Sequence, residues 1–246
     1  MIDEIQQLRE ELADLLVRDC ELRFFVCPRL DREYTLFIGM FEYQIYKYRF
    51  RTLCLRKELE MLSAGRKVSD RDRRNIEREY EQLRLKSEEM LKHIRECLVE
   101  DGYVDDRVQL NALYREVLCK VHPDLNDRYN EKRNECLQSA QKAYIKGRVY
   151  LLKELARQTA GFIVTDYAQE KDAAVIYEAR NRLKEKTEKL RKAVYDTEHS
   201  YPYDKKELLS TEQNVRARQK ELNHKIYDLK EEAEYYYRKL GELNNG

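Results

Sequence analysis

The chain contains 246 residues, of which 39% are charged, only seven are Gly and three are Pro. This composition predicts a protein that is almost entirely α-helical, and the length is enough for one or two domains with a buried core. The net charge of +1 argues against a dedicated nucleic-acid-binding protein and against one that binds anionic membrane surfaces.

Targeting and redox signals are few. No apolar run approaches the roughly 20 residues that span a bilayer, and the acidic, amphipathic start of the sequence does not resemble a signal peptide. The six Cys are scattered without CxxC spacing, which is typical of reduced thiols in a cytoplasmic protein. Cys119 and His122 are close in sequence, but two ligands do not make a zinc site. We therefore expect a cytoplasmic protein with no metal, no cofactor and no membrane contact.

The N-terminal part of the chain has the alternating three- and four-residue spacing of a coiled-coil seam. Cys27-Pro28 is predicted to break or kink the first helix, and Gly65 is predicted to cap the end of the second. Gly39 lies inside the second helix, where Gly costs about 1 kcal/mol relative to Ala, so it suggests close approach of another helix. The seam residues are Ile5, Leu8, Leu12, Leu15, Asp19, Leu22 and Val26, then Tyr34, Ile38, Phe41, Ile45, Tyr48, Thr52, Leu55, Leu59 and Leu62.

A third helix is predicted to begin at Ser69, because Ser69 and Asp72 have the spacing of a capping box. It should fold back on the second helix around the turn at Gly65 and should end at Asp101-Gly102. The aromatic and basic run FEYQIYKYRF (41–50) offers base stacking as an alternative, but its large apolar residues fall at seam positions. We therefore interpret it as a helix face packed against protein and expect no nucleic-acid partner.

The most informative stretch is LYREVLCKVHPDLN, residues 113–126. Its apolar residues recur at four-residue spacing, which predicts a short amphipathic helix. Pro123 disfavours helical geometry at His122, so the helix should end there and His122, Pro123 and Asp124 should form a tight, exposed loop. A second helical pattern follows over residues 131–146.

Two antiparallel helices joined by a loop that opens with His-Pro-Asp resemble the core of a J-domain, the module of DnaJ-type co-chaperones. Glu116 and Val121 depart from the family pattern, in which a basic and an aromatic residue are usual. The positions that match are Tyr114-Arg115, Lys120, His122-Pro123-Asp124, Leu125-Asn126, Leu137 and Ala143-Tyr144.

The resemblance implies that the protein docks on a DnaK-type chaperone and stimulates its ATP hydrolysis. Between Arg107 and Leu155, Lys and Arg outnumber Asp and Glu by ten to six, a balance that suits an acidic protein partner. The partner-binding residues that the resemblance implies are Arg115, Lys120, His122, Pro123 and Asp124.

The C-terminal part of the chain predicts two long helices, over residues 167–199 and after the SYPYD turn (200–204). The predicted fold is all-α, with elongated antiparallel coiled-coil arms flanking a small J-like helical hairpin. Its domains are an N-terminal helical arm (1–99), a J-like domain (100–160) and a C-terminal antiparallel coiled-coil hairpin (161–246). The segments FFVCPRLDREYTLFIGMFEY and YPYDKKELL are similar to those of bacterial coiled-coil proteins with an internal HPD-bearing segment. Pairing of the arms within one chain or in a homodimer is left open.

The sequence favours a binding protein over an enzyme. It contains no phosphate-binding glycine loop, no GxSxG and no HExxH. One hypothesis is a J-domain-like co-chaperone whose arms bind clients or partners. The alternative is a coiled-coil scaffold or adaptor in which a degenerate J-like fold has no chaperone activity.

Overall fold

A computed structural model describes residues 1–98, 106–127 and 129–244. These residues form helices and no strands, which confirms the all-α prediction. No helix among them combines the length and the apolar character needed to cross a bilayer. The α-helices are α1 (Ile2–Glu21), α2 (Cys27–Tyr34), α3 (Met40–Ser63), α4 (Asp70–Glu79), α5 (Glu81–Cys97), α6 (Arg107–Val121), α7 (Glu131–Ile145), α8 (Val149–Thr159), α9 (Ala173–Glu198), α10 (Lys206–Leu209) and α11 (Glu212–Asn244).

The helices belong to two units, each built from two separate stretches of chain. The first unit contains the described parts of residues 1–29 and 102–204, and the second those of 30–101 and 205–246. This division differs from the three consecutive domains predicted above, because α9 packs on α1 whereas α11 packs on α3. Residues 161–246 are therefore shared between the units. The predicted helix end at Asp101-Gly102, and with it the boundary at residues 99 and 100, lies outside the described residues.

In the first unit, α1 and α9 run parallel to each other, whereas the prediction placed α9 in an antiparallel hairpin with the C-terminal helix. The direction follows from three ion pairs, in which residue numbers increase in the same order along both helices. They are Glu4 with Arg180, Glu11 with Arg191, and Arg18 with Glu198. Such partly exposed pairs are each worth only about 0–1 kcal/mol. The buried apolar residues Ile5, Leu12 and Leu183 therefore supply most of the stabilisation.

Helices α6 and α7 form the predicted hairpin, and α8 packs against both. Helix α6 ends at Val121 and α7 begins at Glu131, as expected from the sequence. The rings of Tyr114 and Tyr144 stack with their centroids 4.2 Å apart, and the Tyr144 hydroxyl donates a hydrogen bond to Asn111 at 2.7 Å. Both rings are buried, so this stack joins the two helices at the end remote from the loop.

In the second unit, the turn between α3 and α4 has the two predicted caps. Gly65 adopts φ +75°, and the amides of Gly65 and Arg66 donate to the carbonyls of Leu62 and Met61, the pattern of a Schellman motif. Ser69 and Asp72 form the capping box at the start of α4. Helices α4 and α5 then return along α3, which confirms the predicted fold-back.

Helix α11 packs along α3 in the same direction. The side chain of Gln219 donates to the carbonyl of Phe37 at 2.9 Å, and that of Thr52 donates to the carbonyl of Leu229 at 3.2 Å. Phe41 belongs to the core that these helices share, as predicted for a seam position. Helix α3 therefore packs both on α5, its near neighbour in sequence, and on α11, which lies far along the chain.

Helix boundaries differ from the prediction at Pro28, where a break or a kink was expected, at Tyr80, which separates α4 from α5, and at the start of α9. Pro28 does not break the helix: a π-helical turn, Leu22–Val26, precedes it, and the backbone at Cys27 keeps helical angles. A π turn accommodates both the lack of an amide N–H at the proline and the bulk of its ring, so the helix continues. Helix α9 begins at Ala173 with Asp172 as its N-cap. Tyr167, where the prediction started this helix, lies instead in a short 3-10 turn and donates a hydrogen bond to Asp127.

Candidate partner-binding site

The His-Pro-Asp loop starts where α6 stops. His122 has extended backbone angles, φ −70° and ψ 131°, as the following Pro123 requires. The amide of Asp124 donates a hydrogen bond to His122 Nδ1 at 3.2 Å. Because Nδ1 accepts this bond, the neutral imidazole carries its proton on Nε2. Pro123 is exposed, whereas His122 and Asp124 are half-buried.

Burial sets the protonation state of His122. Desolvation lowers the pKa of the imidazole below its usual value of 6.5, and the Lys186 ammonium lowers it further, although Asp124 acts in the opposite direction. The ring is therefore neutral at pH 7, in agreement with the hydrogen bond at Nδ1. A neutral imidazole can offer Nε2–H as a donor to a partner.

Asn126 fixes the loop from beneath. Its side chain is buried, and Nδ2 donates to the carbonyls of Cys119 at 3.0 Å and His122 at 3.3 Å. The last carbonyls of a helix lack partners within the helix, so this amide both caps α6 and ties the loop to it. Leu125 beside it is buried in the core of the first unit.

Arg133 is the second anchor. Only 5% of this residue is exposed, and its guanidinium donates to the carbonyls of Lys120 and Ile163 at 2.5 Å each. Its charge also lies over the ring of Phe162, 5.2 Å from the centroid. Arg133 therefore joins the end of α6 to the segment that follows α8. Sequence reasoning missed it, although its position four residues before Leu137, on the buried face of α7, was a signal.

Asp127 is the third anchor. Its carboxylate accepts hydrogen bonds from the hydroxyl of Tyr167 and from the guanidinium of Arg182, while its amide donates to the Thr165 side chain at 3.2 Å. Burial, together with the hydrogen bond to Asp127, raises the pKa of Tyr167 to about 12, so this phenol stays protonated at physiological pH. Helix α9 thus holds the far end of the loop.

The structure places Lys120 and the triplet at the C-terminal end of α6 and Arg115 in the middle of this helix, and two of the predicted site residues already have partners within the chain. Arg115 forms an ion pair with Asp14 of α1. Asp124 pairs with Lys186 of α9, with Oδ1 and Nζ 3.4 Å apart. The side chain of Lys120 is half-buried. Only Pro123 is presented in the open manner that the sequence predicted for the whole triplet.

A groove of about 280 Å³ lies beside His122. The exposed ring of Phe24 stands at its edge, and Asp19 and Arg23, which form an ion pair with each other, supply its charged side chains. The remaining lining residues are Leu16, Cys20, Tyr114, Leu118, Gln141, Tyr144 and Ile145. The groove therefore adds an amphipathic surface beside the loop. Part of this surface comes from α1, which the sequence did not predict to lie near the loop.

Potential metal ligands lie elsewhere. In the part of the chain that the structure describes, the three side chains close enough together to hold an ion are Asp31, His93 and Cys97, in the second unit. The two nearby residues noted in the sequence, Cys119 and His122, are not part of such a group.

Comparison of the chain with protein-family models, with curated proteins and with solved structures finds no match in any of the three.

Proposed function

We propose that the hairpin of α6 and α7 is a J-domain-like docking module and that the protein is a cytoplasmic co-chaperone of a DnaK-type ATPase. One observation carries the proposal: the His-Pro-Asp triplet stands at the end of α6 in a loop that the buried side chains of Asn126 and Arg133 and the paired carboxylate of Asp127 hold in place. A loop with no recognition role needs only to reverse the chain, which short turn residues achieve locally.

The proposed role is binding and not catalysis. Exposed Pro123, the Nε2–H of His122 and the carboxylate of Asp124 form the contact surface, and Arg115 and Lys120 add positive charge along α6. The chaperone hydrolyses ATP, and this protein contributes the contacts that favour its active conformation. The remaining long helices are then available for clients or for pairing with a second copy.

Docking on this surface requires exchange of ion pairs. Asp124 and Lys186 are 32% and 48% exposed at the side chain, and a pair of this kind contributes about 0–1 kcal/mol. A charge-assisted hydrogen bond to a partner contributes about 1.5–3 kcal/mol. A cationic partner can therefore displace Lys186 from Asp124 with a net gain. The same argument applies to an acidic partner that displaces Asp14 from Arg115.

The direct test measures ATP hydrolysis by the DnaK-type chaperone of the same organism with and without the full chain. We expect stimulation by the wild type and its loss in Asp124→Asn, which keeps the backbone hydrogen bond to His122 and so leaves the loop intact. Asp196→Asn, an exposed acid on α9, is the matched control and should stimulate normally. Absence of stimulation by the wild type, with every variant folded by circular dichroism, contradicts the proposal.

A second candidate is a scaffold or adaptor in which the J-like hairpin is only a helical spacer. The intrachain pairs of Arg115 and Asp124 favour it, because they occupy the charges that docking needs. Lys186→Ala separates the two candidates, with Lys184→Ala as control, since Lys184 pairs with Glu188 on its own helix. A co-chaperone should stimulate more strongly after Lys186→Ala, whereas a scaffold should stay inactive in both variants.

A further inference from the structure

A compact group of metal-ligating side chains lies in the second unit, independent of the His-Pro-Asp loop. Asp31 belongs to α2, and His93 and Cys97 lie one turn apart on the same face of α5. His93 Nε2 is 2.9 Å from Asp31 Oδ2 and 3.9 Å from Cys97 Sγ. All three potential ligand atoms lie within 4.8 Å of one another.

A π-helical turn, Thr35–Gly39, follows α2 and packs against α5, and the absence of a side chain at Gly39 allows the two to lie close together. A Cβ placed there would lie only 3.3 Å from Cγ1 of Ile94, the residue next to His93. Thr35 is buried between the same helices and hydrogen-bonds the thiol of Cys97. Tight packing therefore fixes the two helix faces that carry the three ligands, and gives Gly39 the role of close approach that its sequence position suggested.

The spacing suits a small tetrahedral ion. With metal–ligand bonds of about 2.0–2.3 Å, the donor atoms of a tetrahedral zinc site lie roughly 3.3–3.7 Å apart. The observed separations of 2.9 Å and 3.9 Å from His93 Nε2 bracket that range, and the donor atoms of Asp31 and Cys97 lie within 4.8 Å of each other. One imidazole nitrogen, one sulfur and one carboxylate oxygen favour zinc-like ions over Ca²⁺ and Mg²⁺, which prefer oxygen ligands.

The second ring nitrogen of His93 also has a suitable neighbour. Nδ1 lies 3.9 Å from Oε2 of Glu96. Histidines that bind metals commonly donate their other N–H to a carboxylate, which orients the ring and makes the ligating nitrogen more basic. At 3.9 Å the Glu96 carboxylate is beyond hydrogen-bond distance, so its exposed side chain must move closer to take that supporting position, while Nε2 faces Asp31 and Cys97.

We propose that Asp31, His93 and Cys97 bind one divalent transition-metal ion of the zinc class, with water as the fourth ligand. The side chains of His93 and Asp31 are 40% and 26% exposed, so the fourth position is open to solvent. On binding, the Cys97 thiol releases its proton to water and the thiolate coordinates the ion. The His93 ring keeps its proton on Nδ1, facing Glu96. With two anionic ligands, the site neutralises the charge of the ion.

Binding links α2 to α5 and so stabilises the second unit. An ordinary ion pair between Asp31 and His93, beside a buried thiol, is the competing interpretation of the same geometry. Desolvation raises the pKa of the Cys97 thiol, and Asp31 raises it further, whereas Thr35 and Arg32 lower it. Without an ion, the thiol therefore stays protonated at pH 7 and interacts only with Thr35 and His93 as a neutral group.

The test uses the full chain, freed of metal by a chelator and titrated with Co²⁺, whose absorption reports its ligands. We expect one equivalent to bind with a thiolate-to-cobalt charge-transfer band, and Zn²⁺ to displace it and raise the melting temperature. Cys97→Ser should abolish the band, and Asp31→Asn and His93→Gln should each weaken binding by tenfold or more. Glu96→Gln should weaken it by about 10–100-fold, as for other supporting carboxylates.

Matched controls come from the same unit. Cys54→Ser replaces another partly buried thiol, and His224→Gln replaces an exposed imidazole on α11; both should bind Co²⁺ as the wild type does. If Cys97→Ser is misfolded by circular dichroism, the partly exposed His93→Gln carries the test. A wild type without the charge-transfer band, or a band that survives in folded Cys97→Ser, overturns the proposal.

Discussion

Two connections between helices, one in each unit, are built on different principles. The turn from α3 to α4 in the second unit is fixed by residues within the turn itself, namely the Schellman bonds at Gly65 and the capping box of Ser69. The loop from α6 to α7 in the first unit is fixed by Arg133 and by residues far along the chain, including Tyr167 and Arg182. A loop that holds particular side chains in a fixed geometry needs such distant support, whereas a simple reversal does not.

The largest effect should follow from removing the anchor of the α6–α7 loop. Arg133→Met keeps much of the side-chain volume but leaves the carbonyls of Lys120 and Ile163 without the guanidinium that donates to both. A hydrogen bond from a charged donor contributes about 1.5–3 kcal/mol, so loss of both should lower the free energy of unfolding of the first unit by about 3 kcal/mol or more. Urea unfolding followed by tyrosine fluorescence measures this loss.

Lys142→Met is the control for that experiment, because Lys142 is an exposed cation on the same helix. It should change the free energy of unfolding by no more than about 0.5 kcal/mol, as is usual for surface substitutions. Equal effects of the two substitutions would mean that the Arg133 hydrogen bonds contribute nothing.

A smaller effect is expected at the locally built turn. Ser69→Ala removes the hydroxyl that accepts from the Asp72 amide, and loss of an N-cap side chain costs about 1 kcal/mol. Thermal unfolding should show a modest decrease, whereas Ser63→Ala, at an exposed serine that does not cap a helix start, should change little. A loss as large as that for Arg133→Met would remove the distinction between the two connections.

The smallest effect concerns pH and the α6–α7 loop. The folded state holds the pKa of His122 below 6.5, so the unfolded chain takes up the proton more readily. The stabilisation from neutral His122 is therefore complete above pH 6.5 and is lost as pH falls through the lower, folded-state pKa. Between pH 7 and pH 5, the melting temperature of the wild type should fall more steeply than that of His122→Gln. Parallel curves would contradict this assignment, since the other histidines are common to both proteins.

The same contrast explains what the sequence could predict. Gly65, Ser69 and Pro123 act on backbone within a few residues of themselves, so the helix ends that they set were correctly predicted. The pairing of the long helices was not, because seams of similar apolar residues can fit more than one partner and in more than one direction. The ion pairs of Arg180 and Arg191 with α1 favour the observed direction of α9, but these pairs form only when the two helices are already in contact.

The candidate site divides in the same way. The His-Pro-Asp triplet could be found because its three residues are consecutive and stop a helix. The pairing of Asp124 with Lys186 brings together residues that are distant in sequence, and no local pattern marks it. The metal-ligand group was missed for the same reason: only His93 and Cys97 share a helix, and Asp31 reaches them through the close packing at Gly39.

The interleaved arrangement of the two units has a consequence for synthesis on the ribosome. Helix α1 is made early, but its partner α9 begins only at Ala173. At translation rates of about 5–20 residues per second, the nascent chain waits on the order of 10 s for that partner. During this interval Ile5 and Leu12 lack the surface that buries them. A transcript that ends before α9 would therefore yield a truncated protein with exposed apolar surface that is prone to aggregate, even though it encodes every residue of the His-Pro-Asp hairpin.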